Sequence, residues 1–282
     1  MKLAAITGCD SGIGKSLAGI FADAGYTVII SYLETNPFAG RSNIIAHKLD
    51  LRDSASINSF ATLVNRYCSE GHCLEYFINN AGIALGGPFE NLPMEIYRSV
   101  MEINFMGLVA LTQNILSCLI RSRGRLVING SMAGRIALPF LSPYTASKFA
   151  LEGWCDSVRR ELNPLGVRTI LLETAGVATP IWNKALNQDS SFADQKYAAS
   201  LRNFREKFIA GGTRGMATDK AAAQIYRAIT KKRPRARYII AGNRLLSWAE
   251  TLIPASLLDR LAIKMFSMHY GEKKAADTQR LQ

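Results

Sequence analysis

Tyr144 and Lys148 stand four residues apart in the run Ser142-Pro143-Tyr144-Thr145-Ala146-Ser147-Lys148, with Ser131 ahead of them. Residues at this spacing share one face of a helix, which brings an ammonium beneath a phenol. A neighbouring cation favours phenolate and lowers a tyrosine pKa that starts near ~10, so the pair reads as an acid/base site for proton transfer near neutrality. Tyrosine and lysine also fall four apart on ordinary solvated helix faces. What surrounds them has to decide.

Short apolar, β-branched runs at 3–7, 27–32, 44–49, 75–79, 125–129, 168–172 and 238–241 predict seven strands. Stretches of helical period at 14–24, 54–67, 94–122, 143–163 and 218–230 lie between them. The alternation implies parallel βαβ units, hence an α/β, doubly wound Rossmann fold: a mostly parallel seven-stranded sheet with helices on both faces. No repeat, low-complexity segment or Gly/Ser-rich linker divides the chain, so 1–282 reads as a single domain. Two stretches stand outside the alternation. The segment 178–216 is long and polar, as expected of a lid over a substrate. From 243 to 282 the apolar residues, among them Leu245, Leu246, Trp248, Leu257 and Leu258, suggest amphipathic helices that pack on the domain or a partner subunit, or lie shallowly on a membrane.

With 282 residues, 48% of them hydrophobic and 20% charged, the chain can bury a large core. The opening Met1-Lys2-Leu3-Ala4-Ala5-Ile6-Thr7-Gly8 is too short for a signal-peptide core, and no uninterrupted apolar stretch reaches the ~18–20 residues of a membrane span. The five cysteines show no disulfide framework, and Cys68, His72 and Cys73 lack a second ligand pair at zinc spacing. A cytoplasmic protein without a metal is expected, peripheral to a membrane if the tail touches one. The net charge of +12 is densest at Lys231-Lys232-Arg233-Pro234-Arg235-Ala236-Arg237, read as a solvated loop entering a strand. No aromatic residues interleave this run for base stacking, which argues against nucleic acid. A membrane surface or an acidic partner is the alternative use of such charge.

Thr7-Gly8-Cys9-Asp10-Ser11-Gly12-Ile13-Gly14 follows the first strand and opens the first helix, where glycines let backbone approach a pyrophosphate at a helix N-terminus. The spacing is Gly-x-x-x-Gly-x-Gly, not the general Gly-x-Gly-x-x-Gly. Asn79-Asn80-Ala81-Gly82 ends the fourth strand, Asn104 lies in the following helix, and Ser131 precedes Tyr144 and Lys148. In this order, over residues 1–179, the chain resembles the short-chain dehydrogenase/reductase family.

The resemblance implies a nicotinamide dinucleotide and a set of roles. Gly8, Ser11, Gly12, Ile13 and Gly14 would form the cofactor loop, Asp50 with Leu51 would meet the adenine, and Asn80, Ala81 and Gly82 would sit beside the cofactor. Gly176, Val177 and Thr179 would reach the nicotinamide amide. Tyr144 would be the acid/base, Ser131 would hold the substrate carbonyl, Lys148 would bind the ribose and lower the tyrosine pKa, and Asn104 would hold a relay water. Plainer readings exist: Ser131 as a turn cap, Asn104 satisfying a helix kink, Asp50 capping the helix near Ser54. One departure from the family stands out. Ala175-Gly176 replaces Pro-Gly after the sixth strand, and a less rigid turn is expected there.

The choice between NAD and NADP depends on charge near the adenosine ribose. Ser11 holds a position often basic in NADP users, Glu34 would repel a phosphate and Arg41 would attract one, a balance that leans slightly to NAD. Ile136, Leu138, Phe140 and Leu141, with Trp182 and Phe192 from the lid, predict a lipophilic alcohol, ketone or aldehyde as substrate, or else are core. The loop Thr-Gly-Cys-Asp-Ser-Gly is similar to the retinol and hydroxysteroid dehydrogenase branch. A 3-oxoacyl reductase and a non-catalytic nucleotide-binding scaffold or sensor are the alternatives. The family commonly pairs through the long helices at 94–122 and 143–163, so a homodimer or homotetramer is expected.

Overall fold

The computed structural model describes residues 1–268. Nine strands, β1 (Lys2–Ile6), β2 (Thr27–Tyr32), β3 (Ile44–Lys48), β4 (Cys73–Asn79), β5 (Arg125–Asn129), β6 (Arg168–Thr174), β7 (Val177–Ala178), β8 (Met216–Ala217) and β9 (Arg237–Ile240), follow in chain order. Seven of them form one sheet in the order β3-β2-β1-β4-β5-β6-β9, and every pairing in it is parallel. The short β7 and β8 pair separately, which the sequence pattern did not predict.

Side chains on a strand alternate between faces, so a sheet buried on both sides needs apolar residues without interruption. β1 shows this directly. Leu3 and Ala5 join the core under α2 (Ser54–Ser69), α4 (Gly107–Ser122) and α5 (Ser142–Leu162), beside Phe60, Leu111 and Leu151. Ala4 and Ile6 join the opposite core under α1 (Gly12–Asp23) and α9 (Thr218–Ile229), beside Phe21 and Ile225. The two helical layers are therefore fixed by one residue's offset along each strand.

The helix expected at 94–122 is α3 (Met94–Met101) continuing through a π-helical turn at Glu102–Met106 into α4. Although polar residues such as Asn104, Gln113 and Asn114 interrupt it, it is by length and composition apolar enough to cross a membrane. Leu108, Leu111, Ile115 and Leu119 are instead spent on the core beneath the sheet. The basic run also differs from expectation at its end: Arg237 opens β9 and pairs with Asp156 at 3.0 Å, buried Glu173 at 3.1 Å, and Glu152.

The segment 178–216 folds largely into helix: α6 (Pro180–Leu186), α7 (Ala198–Phe204), a π turn at Arg205–Ile209 and α8 (Ala210–Thr213). Its apolar residues account for this, since Ala185, Phe204 and Ile209 join a third cluster with Leu141, Tyr144 and Phe266. Two tail helices follow, α10 (Arg244–Glu250) and α11 (Ala255–Phe266). α11 seats on α7, with the Phe204 and Phe266 rings 5.3 Å apart and the Ser200 hydroxyl donating to the Ser267 carbonyl at 3.0 Å. The tail beyond 268 lies outside the described residues.

Candidate active site

The strand order reverses between β1 and β4, and at the carboxyl ends of those strands lies a cavity of about 1000 Å³. Such switch points are where doubly wound sheets take ligands. Gly8 (φ +69°) and Gly12 (φ +60°) turn the chain there, and a Cβ on Gly8 would come within 2.7 Å of the Ala81 Cα. Ser11, Gly12 and Ile13 open α1 against the cavity, and the Ser11 side chain makes no cap bond, so the positive end of the helix faces it. Gly14 does not line it. A Cβ on Gly14 would lie 2.2 Å from the Gly8 carbonyl oxygen, so this glycine lets the helix close on its own loop.

Polar side chains at the strand ends lock this geometry. Asn80 donates through Nδ2 to the carbonyls of Thr7 and Gly8, each at 3.0 Å, while Thr7 Oγ1 accepts from the amides of Asn80 and Ala81. Asn129 donates to Asn80 Oδ1 at 2.9 Å and accepts from the Thr174 hydroxyl at 2.6 Å. Four strands are thereby tied at one end. Asn129, which the sequence reading missed, was visible only as one polar residue closing an apolar run.

Tyr144 sits in the first turn of α5 and Lys148 one turn on, both nearly buried and both lining the cavity with Ser131. Burial raises the Tyr144 hydroxyl above its usual value, and the neighbouring Ser131 hydroxyl opposes that rise. Lys148 does not overcome it, contrary to the expectation that the cation lowers the tyrosine. Its Nζ lies 5.6 Å from the Tyr144 ring centroid and donates to the Asn129 carbonyl at 3.0 Å, while burial brings it down to about 8. Ser131 accepts from the Ala133 amide at 3.1 Å, so it caps a turn and lines the same cavity as Tyr144.

Asn104 occupies the π turn and is buried outside the cavity lining. Its Nδ2 donates to the Ile83 carbonyl at 2.9 Å and to Ser147 Oγ at 3.0 Å, and its Oδ1 accepts from the Ile83 amide at 2.9 Å. Both side-chain donors are therefore engaged by protein. Ser147 in turn donates to the Tyr144 carbonyl at 2.7 Å, so Asn104 braces the turn that carries the tyrosine.

At the far end, Asp50 and Leu51 line the cavity. Arg52 holds the Asp50 carboxyl below its usual range, chiefly by a side-chain hydrogen bond, and the cap of α2 is Asp53 instead. Glu34 lines this end and pairs with Lys184 of α6 at 2.9 Å. Arg41 does not reach it: the guanidinium is paired with Asp23. Gly176, Val177 and Thr179 line the opposite wall. The turn before them is held in place of the absent proline, since the Ala175 amide donates to the Ile240 carbonyl at 2.9 Å and the Met216 amide to the Gly176 carbonyl at 3.0 Å.

Ile136, Leu138, Leu141 and Trp182 make the apolar wall, as expected, joined by Leu261 and Met265 of α11. Phe140 and Phe192 are exceptions. Phe140, at φ +60°, turns to Phe204 and a small neighbouring pocket, and Phe192 packs over Gly87. The glycine cradle, the open helix end and the cavity of about 1000 Å³ that they border suit a dinucleotide; the positions named above would hold it.

Strand order, switch point and glycine turn together put the molecule in the class of dinucleotide-binding α/β oxidoreductases. Within that class it belongs to the short-chain dehydrogenase family, whose model matches residues 2–190. It is similar to an NADPH-dependent 3-dehydrocapnine reductase of Ornithobacterium rhinotracheale, 30% identical over 94% of this chain and 97% of that protein. It is also similar to an uncharacterized oxidoreductase, YusZ, of Bacillus subtilis, 32% identical over 94% of this chain and 99% of the relative. Among solved structures, a short-chain dehydrogenase from Streptomyces avermitilis superposes with a TM-score of 0.77, at 25% identity, over 92% of this chain and 94% of that one. The protein is an NAD(P)-dependent short-chain dehydrogenase/reductase.

Proposed function

We propose that the enzyme interconverts a lipophilic alcohol and its ketone or aldehyde, with Tyr144 as the acid/base. The observation that carries this is the convergence of Ser131, Tyr144 and Lys148 on one cavity, set between the glycine loop and an apolar wall that includes α11. When bound, the nicotinamide nucleotide supplies or accepts the hydride. The protein's part is then proton placement. In reduction, Ser131 donates to the carbonyl oxygen and Tyr144 delivers the proton; in oxidation Tyr144 takes it back. A tyrosine kept protonated by burial suits delivery to a developing alkoxide. Lys148, with Nζ in the cavity wall, would grip the ribose, and the first turn of α1 would hold the pyrophosphate.

The test is nicotinamide absorbance across a panel of lipophilic alcohols, ketones and 3-oxoacyl thioesters, with wild type beside Tyr144→Phe. Turnover of the lipophilic set, lost by about 10²-fold or more in the variant, supports the reading. Faster turnover of thioesters moves the assignment to a 3-oxoacyl reductase. Nucleotide binding with no turnover, indistinguishable from the variant, indicates a scaffold or sensor.

Assembly and address belong to the same proposal. Exposed Met94, Met106 and Phe149 along α3 to α5 support a homodimer or homotetramer through those helices. The outward residues of α10 and α11 support a cytoplasmic enzyme that touches a membrane at its substrate entrance.

A further inference from the structure

The carboxylate of Asp10, in the glycine loop, is seated in a cup of backbone amides at the end of β2. Leu33 donates to Oδ1 and Oδ2 at 3.0 and 3.1 Å, Glu34 to Oδ1 at 2.8 Å and Thr35 to Oδ1 at 3.1 Å. Three successive N–H groups converging on one point form an anion nest, a construction that takes phosphate as readily as carboxylate. Asp10, Leu33 and Glu34 all line the cavity, beside Ser11 and Gly12. In doubly wound folds the residues just after the second strand meet the adenosine ribose, where an acid suits a free 2′-hydroxyl and a base suits a 2′-phosphate.

This chain ends β2 at Tyr32 and follows it with Leu33, with no acid at the tip itself. The nearest acid in sequence, Glu34, is exposed and occupied by Lys184. That salt bridge also engages the cation lining this end of the cavity, and Arg41 is turned to Asp23. A 2′-phosphate would therefore meet filled amides, a fixed carboxylate and a lysine already paired.

We propose that Asp10 selects NAD over NADP, by occupying the amide nest a 2′-phosphate would use and holding negative charge there. The inference rests on the dinucleotide reading of the cavity. The similar Ornithobacterium reductase is NADPH-dependent, which makes the selection a property to be measured on this chain.

The experiment measures equilibrium dissociation constants for NADH and NADPH by nicotinamide fluorescence, and displacement of NADH by 5′-AMP or adenosine 2′,5′-bisphosphate. It compares wild type with Asp10→Asn, which keeps the Oδ1 acceptor and removes the charge, and with Asp10→Ser, which empties the nest. Wild type should bind NADH at least tenfold more tightly than NADPH. Asp10→Asn should cut that ratio about tenfold, chiefly through tighter NADPH binding, and the bisphosphate should gain on 5′-AMP in parallel. Asp10→Ser should move further the same way, and Asp10→Asn decides the outcome if the serine variant does not fold. Wild-type preference for NADPH, or an unmoved ratio in Asp10→Asn, overturns this inference while leaving the dinucleotide site intact. If wild type binds neither nucleotide, the dinucleotide reading falls and this inference with it.

Discussion

Lys148 donates its Nζ proton to the backbone carbonyl of Asn129 at 3.0 Å, so α5 is fastened to the end of β5 by a buried charge. The bond positions the amine beside the Tyr144 ring, 5.6 Å from its centroid, in the cavity wall. It also loads the folded state with a cation that water would hold more comfortably.

That burden has a pH signature. Burial lowers Lys148 to about 8, whereas an unfolded lysine keeps its proton to ~10.5. Between those values the unfolded chain binds the extra proton, so folded stability rises with pH through the window. From pH 7 to 9.5 the gain amounts to about 2 kcal/mol. Lys148→Met removes this titration. Urea unfolding of nucleotide-free protein at the two pH values should show the stability difference between wild type and variant move by that amount toward wild type. An equal difference at both pH values would refute the buried-cation account.

Asn104 offers a second test, of bracing against chemistry. Asn104→Ala strips the Ile83 amide and carbonyl of their partners in a part-buried site, and a loss of about 1–3 kcal/mol is expected. The same variant frees the turn carrying Tyr144, so kcat should fall while the NADH dissociation constant stays within a few-fold. Unchanged stability to urea would show that Ile83 finds other partners and that the π turn does not depend on this amide.

Much of this architecture is legible in the chain because it repeats locally. The unbroken Leu3-Ala4-Ala5-Ile6 run announces a strand buried on two faces, and the spacing of Tyr144 and Lys148 survives on α5 as a shared face toward the cavity. The less legible parts depend on side-chain direction or distant partners. Asp10 reads as one polar residue among several in its loop until its carboxylate is seen turning to the amides at 33–35. Leu261 and Met265 become cavity wall only because α11 docks on α7, more than fifty residues back in sequence. The sign of the Tyr144 shift was misread for the same reason: spacing gives proximity to Lys148, but the shift follows from burial, which only the packed fold reveals.

Ala175 tests whether the missing proline loosens its turn. The Ala175 amide extends the β6 to β9 ladder by donating to Ile240, a bond that proline cannot make. Restoring the family's residue with Ala175→Pro should therefore lower stability by about 1 kcal/mol, read as a fall of a few degrees in Tm. Ala175→Ser, which keeps the amide, should melt with wild type. A rise in Tm for the proline variant would mean that rigidity of the turn outweighs the ladder bond.

The tail helices carry the last prediction. Leu245, Leu252 and Trp248 are 79%, 62% and 52% exposed, while Leu258, Leu261 and Met265 nearby line the cavity. This tail region thus exposes apolar side chains to solvent on one side and walls the cavity on the other. Exposed Arg244, Arg260 and Lys264 outnumber exposed Glu250 and Asp259 on these helices by one charge. An anionic bilayer surface fits this combination, each leucine contributing about 1.5–3 kcal/mol if fully buried in it. The protein should cosediment with mixed phosphatidylcholine and phosphatidylglycerol vesicles more than with phosphatidylcholine alone, and less at high salt. Leu245→Ser with Trp248→Ser, neither of which lines the cavity, should reduce the bound fraction severalfold and leave turnover of a water-soluble substrate unchanged. If the double variant binds vesicles as wild type does but loses a dimer by gel filtration, the face belongs to a second copy of the chain and the membrane reading fails.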